Sequence, residues 1–433
     1  MTAVTLIFSM LFALILLFLV TGEHHRSVVA LFGALLTVVF GLEYGLLHLQ
    51  NLWSELVSFE DIDVLMLVIG VMILAEGVAR TGFFEFIGLS LVRAVGKSFR
   101  SLSLILILLT ILFSSLLSNI TSMIIMGALT VSLLRKLRVE PTQLVLYEAL
   151  ATNVGGLMLM VSSVPNLVVA SEFNIGFLEF AEVALPLAFI LSVASIPLIL
   201  RQIGTEPLLE GLPAESSIEV DPWSVIRDKK AFYRASALFF CVIILFVLED
   251  FIKVPLGLIA VGGATAMLLL GGHRPEPIFS SVDWGTVFFL ASFYIIVGGL
   301  ERSGVIAVFA DMAIKVLGLY PMAGPALNVW ICGLPSSVLD NIPMTLTLIP
   351  VVRRVSESTG FSLMKLIWGI VFGANLGGNL TPIGSPAGII ALGILRREGR
   401  SVSWGEWFNL CAPVTLLQLL LASVYVTVLS VIP

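Results

Sequence analysis

Polar residues are scarce along this chain, and the places where they fall set its organisation. Ten apolar runs have the length of a bilayer crossing, which takes roughly 20 apolar residues in a helix. They cover about 4–20, 27–47, 62–79, 143–170, 183–200, 235–247, 254–270, 282–300, 363–392 and 412–431. The fourth and ninth are long and interrupted by Gly and Pro. Two further apolar stretches, 102–134 and 325–352, are split at the centre by Ser118-Asn119 and Asp340-Asn341. Each predicts either one long span or a helical hairpin that leaves on the side it entered. The opening run, "MTAVTLIFSMLFALILLFLV", has no basic residue before it and reads as a retained first span.

Composition agrees with this pattern. The 433 residues are 58% hydrophobic and 12% charged, against about 25% charged in a soluble domain; mean hydropathy is +1.08. This is an all-α, polytopic membrane protein. The net charge of −6 gives no reason to expect nucleic acid. Cys241, Cys332 and Cys411 stand far apart, with no metal or redox spacing. No HExxH or GxSxG motif points to an enzyme.

Taking both split stretches as hairpins sorts the basic residues. Lys253, Arg302, Lys315, Arg353, Arg354 and Lys365 fall on one side, and the remaining Lys and Arg, Arg26, Lys97 and Arg138 among them, on the other. The richer side is cytoplasmic by the positive-inside rule. Both termini then lie outside the cytoplasm, and 202–234 is a cytoplasmic linker.

A repeat underlies the pattern. "SSLLSN" resembles "SSVLDN", "TNVGG" resembles "ANLGG", and "ARTGF" resembles "ERSGV". Asn119 and Asn341, Gly155 and Gly377, and Gly82 and Gly304 are each 222 residues apart. Two homologous halves follow, each of five spans plus one re-entrant hairpin. Five is odd, so the second half is inverted, the plan of secondary transporters with sites at interrupted helices. The halves divide at the linker into 1–201 and 235–433. The scaffold is 1–100 and 235–324; the transport parts are 101–201 and 325–433.

Irregular backbone at membrane depth must line protein or a wet cavity. The candidate substrate and ion residues therefore sit at the interruptions. They are Ser118, Asn119, Asn153, Gly155, Gly156, Ser162, Ser163 and Asn166 in the first half. In the second they are Asp340, Asn341, Asn375, Gly377, Gly378, Asn379, Thr381, Gly384 and Ser385. A buried acid in a membrane is functional by default, so Asp340 is the expected coupling group and Glu148 the next. Exposed carbonyls at helix breaks suit sodium, and the hairpin tips are its expected place; no other cofactor is expected. With no Lys or Arg expected at the midplane, an anion would rely on helix N-termini alone.

With "VARTGFFEFIGLSLV", "SSVLDNIP" and "ANLGGNLTPIGSPAGIIALGI", the chain resembles the ion transporter superfamily. The resemblance is to its group of arsenite permeases, NhaD-type sodium–proton antiporters and P-protein-like permeases, with a citrate-transporter-like domain. It implies an elevator mechanism, a homodimer and a place in the cell (inner) membrane. Dicarboxylate carriers of the wider group have Ser-Asn-Thr at both tips. Here the tips read Ser118-Asn119-Ile120 and Asp340-Asn341-Ile342, which counts against a dicarboxylate. A small inorganic solute such as arsenite or a related oxyacid, moved with protons or sodium, is the expected cargo; sodium–proton antiport is the alternative.

Overall fold

The computed structural model describes residues 2–22, 24–56, 58–94, 99–137, 139–203, 221–272, 274–319 and 324–431. Lys97, Arg138 and most of the linker, 204–220, lie outside the described residues. Those described are helical, with no strand among them. In the first half the principal helices are α1 (Ala3–Thr21), α2 (Arg26–Glu43), α3 (Phe59–Ala79), α4 (Phe83–Ala94), α5 (Phe99–Leu116), α6 (Asn119–Lys136), α7 (Thr142–Met158), α8 (Val164–Glu172) and α9 (Phe177–Gln202). The second half repeats them as α10 (Lys229–Val247), α11 (Leu256–Leu270), α12 (Trp284–Arg302), α13 (Val305–Leu319), α14 (Gly324–Ser336), α15 (Asn341–Thr359), α16 (Leu363–Gly377), α17 (Pro386–Arg397) and α18 (Trp404–Val431). Each helix has its counterpart nine places on.

Among the described residues, eight helices are long and apolar enough to cross a membrane: α1, α2, α3, α5, α9, α10, α12 and α18. Helices α11 and α16 are apolar but shorter. Large apolar side chains stay exposed on outward faces, as at Phe32 (61%), Phe189 (68%) and Leu269 (76%). A bilayer covers such surfaces without cost. The two long interrupted segments each fold as two helices. A 3₁₀ turn at Met160–Ser162 separates α7 from α8, and residues 378–385 separate α16 from α17.

Local chemistry sets these breaks. Ser118 caps α6, accepting from Thr121 N at 3.2 Å, and Asp340 caps α15, accepting from Ile342 N at 3.4 Å. Pro165 and Pro386 sit in the first turns of α8 and α17, where a missing N–H removes no helical bond. Ser385 caps α17 through Gly388 N at 3.3 Å.

Packing repeats with the chain. Helix α3 lies on α11 and α12 on α2, while α5 lies on α7 and α14 on α16. The last two crossings bring backbone to backbone. A Cβ on Gly155 would stand 2.2 Å from the Ile111 carbonyl oxygen, and one on Gly377 would stand 2.0 Å from that of Gly333. Ile111 and Gly333 are also 222 residues apart, so one crossing is built twice. The symmetry breaks at the tips: α15 leans on α12 and α8 rests on α3, while the matching pairs, α6 with α3 and α17 with α12, do not pack closely.

Candidate functional site

Both hairpin tips line one cavity of about 120 Å³. Ser118, Asn119 and Thr121 enter it from the first tip, and Asp340 and Asn341 from the second. Ser162 and Ser163 close it at the α7–α8 break, and Glu76 of α3 borders it. A cation is also present, against the expectation of none. Arg26, the first residue of α2, lines the cavity and joins Asp340 in an ion pair. Its other nitrogen reaches Asp283 Oδ2 at 3.3 Å and Thr286 Oγ1 at 2.8 Å. In the sequence Arg26 counts only among the basic residues of the cytoplasmic side. The partners that draw it inwards lie 257 and 314 positions along the chain, beyond the reach of local pattern.

The two tips differ in how their amides are satisfied. In the first half the single Ser114 hydroxyl proton is shared between Asn119 Oδ1 at 2.9 Å and the Thr152 carbonyl at 2.6 Å. Asn119 Nδ2 donates to Asn153 Oδ1 at 2.8 Å, and Asn153 Nδ2 to Asn379 Oδ1 at 2.6 Å. A chain of amides thus runs from the first tip into the second half. The counterparts of Ser114, Asn119 and Asn153 are Ser336, Asn341 and Asn375. Here the matching bonds are not made: Asn341 Oδ1 and Asn375 Oδ1 are buried and without partners. Ser336 Oγ lies near the Cys332 thiol and makes no bond to oxygen or nitrogen. Asn375 Nδ2 turns instead to Asn166 Oδ1, at 2.8 Å. Unpaired buried oxygens cost roughly 1–3 kcal/mol each, so the second half keeps acceptors in reserve, one of them on Asn341, the residue after Asp340.

Among the expected residues, Ser118, Asn119, Ser162, Ser163, Asp340 and Asn341 come together at the cavity. Asn153, Asn166, Asn375 and Asn379 form the buried layer behind it. Asn166 Nδ2 holds the Gly156 carbonyl at 2.7 Å across the helix break, and Thr381 Oγ1 donates to the Ser337 carbonyl. Gly155, Gly377 and Gly384 face neighbouring carbonyls; Gly156 and Gly378 make room for Asn119 and Asn341. Ser385 serves as a cap. Glu148 does not line the cavity: it is fully buried in α7, takes a 2.5 Å bond from Thr130 Oγ1 and leaves Oε2 unpaired. Residues the sequence reading missed are Arg26, Thr121, Asp283 and Thr286. The run "DWGT" at the head of α12 carried a signal, an acid capping a helix whose third residue offers a hydroxyl.

A family model described as citrate transporter matches residues 15–356 and 336–432. An uncharacterized transporter of Mycobacterium tuberculosis is 30% identical over 404 residues, covering 93% of this chain and 93% of its own length. The human P protein is 26% identical over 515 residues, across 100% of this chain and 60% of the human protein. Among solved structures, the YdaH transporter of Alcanivorax borkumensis aligns with a TM-score of 0.62 at 16% identity, over 90% of this chain and 88% of its own. MtrF of Neisseria gonorrhoeae, described with a class of antimetabolite efflux pumps, aligns with a TM-score of 0.60 at 11% identity, over 88% and 83%. These two speak for the fold alone.

Proposed function

The chain belongs to the citrate transporter family, and from that premise we propose that this multi-pass membrane transporter is an ion-coupled, elevator-type carrier of a small solute. The carrying observation is the second tip, where Asp340 is followed by Asn341, whose Oδ1 is buried and unpartnered, as is Asn375 Oδ1 in the layer behind the cavity. A carboxylate with neutral oxygens suits a proton or a sodium ion. The scaffold is 1–100 and 235–324. The hairpins, re-entrant from opposite sides, move with the broken helices and last spans of 101–201 and 325–433. The chain works as a homodimer in the cell membrane, with its termini outside the cytoplasm.

Charge at the cavity bears on the cargo. Asp340, Asp283 and Glu76 border it, and its guanidinium is already shared between the two aspartates. A free tricarboxylate such as citrate would meet uncompensated acid there. A neutral hydroxylated solute meets no such cost, and Ser118, Thr121, Ser162 and Ser163 offer hydroxyls to it. Arsenite in its neutral acid form, or a related small oxyacid, fits best. Sodium–proton antiport is the second reading, favoured by the same carboxylate.

Purified protein in liposomes tests the proposal. Arsenite should accumulate when a pH or sodium gradient is imposed, and Asp340→Asn should reduce this to downhill exchange. Citrate uptake without arsenite uptake would overturn the cargo; a sodium-driven pH change inside the vesicles without any solute would favour antiport. Undiminished accumulation by Asp340→Asn would place the coupling acid elsewhere, with Glu148 next.

A further inference from the structure

Arg26 is anchored without help from Asp340. Asp283 and Thr286, which hold its second nitrogen, lock each other: Thr286 N donates to Asp283 Oδ1 at 3.0 Å and the hydroxyl to Oδ2 at 2.5 Å. Phe289 of the same helix lies under the guanidinium at 5.9 Å. Asp340 is held less firmly. Beyond Arg26 it has the 3.4 Å contact to Ile342 N. The ion pair therefore joins a fixed group on the α2–α12 side to a lightly held one on the tip of the second hairpin. All three charged side chains line the cavity and stay partly exposed, at 28%, 32% and 19% for Arg26, Asp283 and Asp340.

We propose that Arg26 is a tethered cation that competes with the coupling ion for Asp340. The inference rests on reading Asp340 as the coupling acid. A carboxylate oxygen bonded to a guanidinium is shielded from a proton or metal ion. Once it has taken either, it no longer attracts the guanidinium. Ion uptake thus releases the contact between the two parts of the molecule, and ion loss restores it. Arg26 keeps Asp283 and Thr286 throughout, so release leaves no stranded charge. Other titratable groups at this end of the cavity already have partners: Glu76 has Arg80 at 2.7 Å, and His25 has Ser27 at 2.6 Å. The side-chain polar groups that the first tip and the α7–α8 break add to the lining are hydroxyls and an amide, from Ser118, Asn119, Thr121, Ser162 and Ser163.

The test is the melting temperature of the full chain in detergent. It is titrated with sodium chloride against choline chloride at fixed pH, and with pH in the absence of sodium. The two arms separate sodium from the proton. The wild type should gain stability as the coupling ion binds. Arg26→Gln should reach half-saturation at a roughly ten- to hundredfold lower ion concentration, the weight of one charged hydrogen-bonded pair. Arg26→Lys should fall between, since a point charge clamps a carboxylate less well than a guanidinium fork; it also serves if the glutamine variant does not fold. Asp340→Asn should be flat. The double variant Arg26→Gln/Asp283→Asn should keep the gain in affinity, which assigns the gain to the lost guanidinium rather than to the acid left behind. Unchanged half-saturation in Arg26→Gln, or in Arg26→Lys if only that folds, with a flat Asp340→Asn would overturn the competition while leaving the coupling acid in place. A wild-type response in Asp340→Asn would overturn both.

Discussion

At the scale of the residue, the matched positions of the two halves do different work. Ser114 makes two hydrogen bonds, while its counterpart Ser336 makes none to oxygen or nitrogen. Ser114→Ala should therefore cost about 1–3 kcal/mol, and Ser336→Ala clearly less, by thermal or denaturant unfolding of the purified protein. Ion-driven uptake should rank them the other way, with Ser336→Ala the more impaired, because its oxygen, like those of Asn341 and Asn375 in the same half, is buried and uncommitted. If Ser336→Ala destabilises as much as Ser114→Ala, the contrast between the tips is lost. The tip residues themselves were legible in the sequence, since polar dipeptides in apolar runs are conspicuous. The guanidinium that answers Asp340 was not. Arg26 looks like any basic residue ending a short turn, and its role exists only once α2, α12 and α15 have come together.

Between elements, glycine decides how closely helices cross. The pairs Gly-Gly in "TNVGG" and "ANLGG" stand in sequence among the candidate substrate and ion residues. In the structure, Gly155 and Gly377 give room to a neighbouring backbone, at Ile111 and Gly333. A sequence shows that a side chain is absent but not what approaches the gap. Gly377→Ala and Gly155→Ala should each lower stability by about 1–3 kcal/mol through overpacking, with transport falling in step with folded protein. Gly262→Ala and Gly298→Ala, where a Cβ meets nothing within 4 Å, should melt as the wild type does. Equal melting of all four variants would refute the tight crossings.

Across the whole molecule, the two-fold repeat was plain from sequence because three motifs share one offset. Its breaking was not, because similar segments can pack in two ways. The inverted arrangement predicts that single cysteines at Lys136 and Arg354, the far ends of the second hairpin arms, label from opposite faces of a sealed vesicle. The background should lack Cys241, Cys332 and Cys411. Labelling of both from one face would rule out inversion. The ionic contact has no twin. Where α2 opens with Arg26, α11 opens with Leu256; where the second tip carries Asp340, the first carries Ser118. The proposed stroke therefore has one end with an ionic foothold and one without. On that proposal its two resting points would differ in depth, and the carrier would dwell longer at the end seen here. The rate of leaving that end, set by how often Asp340 is filled, would then govern turnover, while the return would depend on contacts that no ion controls.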